Sequence, residues 1–147
     1  EEAKADILGL FLVCKLIEKR EISNITTEDA ITTFIAGILR SVRFGASSSH
    51  GSANMMCYNF MEKEGAFIRN EEGMYHIDFD KARAAVDAWA TIILTTQGEG
   101  NFAFAKKYRE ENGGITEDLQ IDLDKINAAG IPRDIRFNQG MKVLGLE

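Results

Sequence analysis

The chain has 147 residues, 45% of them apolar and 27% charged, with a net charge of −6. That length suits one domain, which buries roughly 70% of the surface its unfolded chain exposes. An acidic balance without a basic stripe argues against nucleic-acid binding. The longest apolar run, residues 7–14, falls short of the ~20 residues needed to span a bilayer.

Helical patterns dominate from the first residue. The chain starts on Glu1-Glu2-Ala3-Lys4-Ala5-Asp6 with no initiator Met and no lead-in loop, as expected of a piece of a longer protein. The first helix is expected over residues 2–20, with Ile7, Leu8, Phe11, Leu12 and Leu16 as its core stripe. Thr26 and Thr27 are N-cap residues for a helix over 30–43, whose apolar positions Ile31, Phe34, Ile35, Ile38, Leu39 and Val42 keep the helical period. Phe44-Gly45 ends it. Ser47-Ser48-Ser49 is the next cap, and the helix after it stops at Gly65.

Residues 66–77 alternate as a short hairpin around Asn70-Glu71-Glu72-Gly73. Asp78 caps a long helix to residue 96, with Val86, Trp89, Ile93 and Leu94 inward. Gly98 and Gly100 break it. A shorter helix over 102–111 follows, then one from Thr116 to about residue 129, and Gly130-Ile131-Pro132 begins an extended tail. The pattern defines a mainly α domain with one small β-hairpin. Cys14 and Cys57 sit in apolar stretches and read as reduced core residues, which points to a reducing, cytoplasmic setting.

Few residues stand out as chemistry. Glu2 and Asp6 are four apart and share a helix face. A zinc hydrolase uses such a pair when its His ligands come from another helix: the Glu binds metal and the Asp holds a ligating imidazole. First-turn carboxylates also simply complement the helix dipole, so both readings stand. Glu1 either supports that ligand or is exposed. His50 lies among Ser47-Ser48-Ser49 and Gly51-Ser52-Ala53, which leave room for a substrate. There it either donates to a developing oxyanion or bonds a nearby carbonyl at the helix start. His76 reads as a surface residue. Arg40 and Arg43 read as helix C-terminal charges or as partners of a carboxylate across a cleft. The aromatic set Phe34, Phe44, Tyr58, Phe60, Phe67 and Trp89 reads as core, and Glu117-Asp118 and Asp122–Asp124 as solvated helix faces.

Glu1-Glu2-Ala3-Lys4-Ala5-Asp6 resembles the second zinc motif, E-E-x-x-A-[DE], of the dipeptidyl-peptidase III family of zinc metallopeptidases. Thr33-Phe34-Ile35-Ala36-Gly37, Arg40 to Gly45, His50-Gly51 and Glu62 to Phe67 are similar to the shorter branch of that family, which is found attached to a nudix domain in some organisms. The similarity runs through nearly the whole chain. It implies that residues 1–147 are the C-terminal helical part of a zinc metallopeptidase catalytic domain, a fragment of the catalytic lobe. Glu2 matches the zinc ligand, with Glu1 and Asp6 behind it, and His50 matches the His that stabilises the tetrahedral transition state.

The family's HExxH or HExxxH motif is absent from this sequence. The position four residues after His50, an Arg in the longer peptidases, is Asn54, a departure from their pattern at a position that the resemblance ties to dipeptide specificity. The implied cofactor is therefore zinc held by the intact parent, and this segment alone is expected to be inactive. The implied partners are a short peptide substrate and the upstream His-containing part of the same domain, with no nucleic acid and no membrane. A non-catalytic helical binding or regulatory domain that keeps the fold is the competing function.

Overall fold

The computed structural model describes residues 1–135 and 137–146. Helix α1 (Glu2–Glu18) buries Ile7, Leu10 and Cys14, spaced by three and four residues, against the helices that follow. This corrects the expected stripe. Leu12 is 57% exposed and Leu16 is also exposed. The helix is apolar almost all round after Asp6, so periodicity alone does not select the face that packing chooses.

Helix α2 (Thr27–Ser41) starts earlier than its apolar pattern because Thr26 and Asp29 close a capping box. The Asp29 N–H donates to Thr26 Oγ1, and the Thr26 N–H donates to Asp29 Oδ2 at 2.9 Å. Ile31, Ile35 and Ile38 form its buried face. A 3₁₀ turn over Val42–Phe44 leads through Gly45, at φ 96°, to helix α3 (Ser49–Lys63). Ser48 caps α3 by accepting from the Gly51 N–H at 3.0 Å. A Cβ on Gly51 would lie 2.2 Å from the Gly45 carbonyl oxygen. Glycine there lets the first turn of α3 press directly on the loop before it.

Helix α3 is the central element, burying Met55, Cys57, Tyr58, Phe60 and Met61. Strands β1 (Phe67–Arg69) and β2 (Tyr75–Ile77) form the hairpin, antiparallel, with Ile68 opposite the exposed His76. Asp78 caps helix α4 (Phe79–Gly98), whose Ala82, Ala85, Val86 and Trp89 face the core. Leu94, expected inward, is 47% exposed. Helix α5 (Phe102–Asn112) lies across α3 and α4, and helix α6 (Glu117–Ala128) buries Leu119 and Leu123. Phe60, Trp89 and Tyr108 stack in series at 5.0 Å, tying α3, α4 and α5 together.

Two further expectations change. Asp122 is not on a solvated face. It is buried on α6, where Arg69 clasps it with two bonds of 2.6 and 2.8 Å and the Tyr75 hydroxyl adds a third at 3.0 Å. Phe44 is exposed and lies under the Arg133 guanidinium. The tail after α6 is irregular, turning over residues 141–145. Arg43 holds its start by donating to the Ile131 and Pro132 carbonyls at 2.7 and 3.1 Å. The fold class is as the periodicity predicts, mainly α with one small hairpin.

Candidate functional site

The first turn of α1 and the first turn of α3 meet side by side, because Ile7 and Leu10 of α1 join Met55 and Cys57 of α3 in one core. That packing sets His50 Nδ1 2.9 Å from Glu2 Oε2. The two residues are 48 positions apart, and no local spacing joins them. The imidazole is 72% exposed and the Glu2 side chain 41%. A surface pair of this kind contributes about 0–1 kcal/mol to stability, so the fold does not depend on it.

Asp6 lies one turn further along α1. Burial raises its carboxyl above the ordinary aspartate range, the His50 charge opposes this, and the Glu2 charge adds to it. Asp6 therefore senses both members of the pair. Cys57 lies beneath, its thiol pushed up by burial and by the Asp6 charge. It is held as the thiol and is not a nucleophile. Glu1 accepts from Gln97 Nε2 of α4 at 3.1 Å. This is a support contact of its own, apart from Glu2.

A small cleft of about 250 Å³ opens beside these carboxylates, lined by Glu1, Glu2, Ser49, Ser52, Met56 and Arg109. It shares the Glu1 and Met56 wall with a larger apolar cleft of about 510 Å³ under Trp89, Ile92, Phe102 and Tyr108. No motif marks Ser52, Gln97 or Arg109. Ser52 is hidden in a small-residue run. Arg109 looks like one more surface cation after Lys106 and Lys107. Asn54 turns away from this cleft and donates to Ser41 Oγ at 2.8 Å. Arg40 lies 3.9 Å from Asp134, far down the chain, in an exposed pair.

Glu2 offers an accessible carboxylate with a second carboxylate and an imidazole next to it, and oxygen and nitrogen donors of this kind suit zinc. Among the described residues, however, no three His, Cys, Asp or Glu side chains gather into a metal-holding group. The described residues thus offer carboxylate and imidazole donors without completing a metal site.

The fold defines a peptidase-related helical domain. More particularly, it is a dipeptidyl-peptidase III-like fold. The chain superposes on dipeptidyl-peptidase III from Caldithrix abyssi with a TM-score of 0.88 at 30% identity, over 98% of this chain and 28% of that one. The enzyme from Corallococcus sp. strain EGB gives 0.82, also at 30% identity, over 91% of this chain and 25% of the other. In sequence the chain is 36% identical over 135 residues to Nudix hydrolase 3 of Arabidopsis thaliana, which is 92% of this chain but 18% of that protein. No protein-family model matches the chain. It spans between 18% and 28% of the length of these relatives. Among the described residues, no helix is long and apolar enough to cross a membrane.

Proposed function

We propose that this chain is the part of a zinc-dependent peptidase catalytic domain that supplies one metal ligand and one transition-state donor for hydrolysis of short peptides. The contact between Glu2 and His50 carries this reading. Similarity to two dipeptidyl-peptidase III structures supports it. The His-bearing remainder of the site belongs to other parts of the parent.

Glu2 would hold the zinc, and Asp6 would orient an imidazole supplied from elsewhere in the domain. Zinc when bound activates water and polarises a carbonyl. The chain's own residues do the rest. Glu2, one side of it against His50, keeps the imidazole turned toward the carboxylate. His50, next in sequence to the cleft-lining Ser49, would offer its other ring nitrogen to a substrate oxygen on which negative charge grows. Gln97 ties Glu1 to α4 by a hydrogen bond of 3.1 Å. Asp6, exposed one turn further along α1, leaves its carboxyl accessible to an imidazole from elsewhere in the domain.

Such a donor is strongest in the transition state, so its loss lowers the chemical rate more than substrate binding. In the intact parent, His50→Ala is expected to lower kcat by about 10²–10³ with zinc content unchanged. Unchanged turnover with zinc retained makes His50 a helix-start residue only. The same measurement separates this reading from a non-catalytic domain, for which no turnover exists to lose.

A further inference from the structure

We propose that Arg109 is a specificity residue that receives a peptide carboxylate in the cleft beside Glu2. The proposal rests on the peptidase reading above and adds the chemistry of the substrate. Among the lining residues of that cleft, Arg109 is the one cation. Its position is built. Its Nε donates to Ser52 Oγ at 3.3 Å, and Ser52 is one of two buried polar residues among those described, 5% exposed. α5 approaches α3 closely enough for this because Gly113 lacks a side chain. A Cβ there would lie 2.5 Å from Ser52 Oγ.

That single bond orients the guanidinium through its inner nitrogen and leaves the two outer nitrogens for a ligand. A guanidinium so presented binds a carboxylate with two parallel bonds. The glutamates of the cleft do not take that place. Glu1 is engaged by Gln97 at 3.1 Å, and Glu2 faces His50 at 2.9 Å. Among the described residues, no carboxylate is paired with Arg109.

The same two glutamates make the cleft unfavourable for a dianionic phosphate, while a single carboxylate next to one guanidinium is tolerated. At about 250 Å³ the space is smaller than the roughly 300–1,000 Å³ of sites that engulf a whole ligand. It takes one chain end or one acidic side chain. A C-terminal carboxylate and an Asp or Glu side chain share this chemistry.

Three tetrapeptides with a common core separate the two: the free acid, its C-terminal amide, and that amide carrying one acidic side chain. Their binding to the intact parent is read by rapid-mixing tryptophan fluorescence before turnover, for the wild type, Arg109→Gln and Arg109→Lys. Arg109→Gln is expected to weaken a carboxylate-bearing peptide by about 10–100-fold, the loss of charge-assisted bonds, and to leave the plain amide unaffected. Arg109→Lys recovers part of the loss. The carboxylate-bearing arm that responds identifies the source. Equal weakening of acid and amide makes Arg109 a packing residue and overturns the proposal, as does no weakening at all. Hydrolysis of the same peptides is scored separately. Discrimination without hydrolysis keeps the carboxylate site and removes the peptidase reading; hydrolysis without discrimination does the reverse.

Discussion

Asp122→Asn tests the clasp that fixes the hairpin on α6. The wild-type carboxylate takes two bonds from Arg69, at 2.6 and 2.8 Å, and one from Tyr75. Those of Arg69 lead in lowering its carboxyl from the ordinary 3.8 to about 2, against the opposing effect of burial. A group whose folded value lies below its unfolded one adds stability above the unfolded value and loses it as pH falls toward the folded one. The shift corresponds to about 2 kcal/mol at pH 7 and pH 5, about 1 kcal/mol at pH 3, and almost nothing below pH 2. Asparagine keeps the shape and removes the charge. With urea slopes of about 1–3 kcal/mol/M, the midpoint of the 147-residue chain should fall by roughly 1 M at pH 7. The gap between wild type and variant should narrow at pH 3. A gap that stays constant from pH 7 to pH 3 refutes the electrostatic reasoning, and no gap at pH 7 refutes the clasp.

Gly51→Ala meets the Gly45 carbonyl oxygen at 2.2 Å, whereas a Cβ on Gly37 in α2 meets nothing within 4 Å. Alanine normally stabilises a helix by about 1 kcal/mol over glycine. Gly37→Ala should raise the melting temperature, and Gly51→Ala should lower it through a clash costing about 1–3 kcal/mol; equal shifts in one direction contradict the close approach. The isolated chain should bind zinc weakly by calorimetric titration and should hydrolyse no peptide, because a catalytic site needs about three protein ligands. Tight stoichiometric binding there would reveal a complete site that the described residues do not form.

Much of the fold is legible because the caps are chemical. Thr26, Ser48, Asp78 and Thr116 each accept from a backbone N–H at the start of a helix, and each is a residue type chosen for that bond. The buried face of α1 is not legible, since Leu12 and Leu16 are as apolar as Ile7 and Leu10 and only packing separates them. Asp122 misleads for a different reason. Its neighbours Asp118 and Asp124 are exposed, and its partner Arg69 lies 53 residues away on the hairpin. At the candidate site, Glu2, Asp6 and His50 are readable through motif and spacing within their own helices. The juxtaposition of Glu2 with His50 comes from the packing of α1 on α3. Gln97, Ser52 and Arg109 enter only through the approach of α4 and α5, which no local pattern records.

The assignment of Glu2 as a metal ligand is tested most directly by the zinc content of the intact parent, measured for wild type, Glu2→Ala and Asp6→Asn after equal dialysis. A ligand makes the bond, while a residue that only orients an imidazole costs about 10–100-fold in affinity when lost. Glu2→Ala should therefore come out free of zinc. Asp6→Asn should retain zinc when the metal is plentiful and lose it at free-zinc concentrations where wild type stays loaded. Full zinc occupancy in Glu2→Ala, with activity intact, would contradict the account.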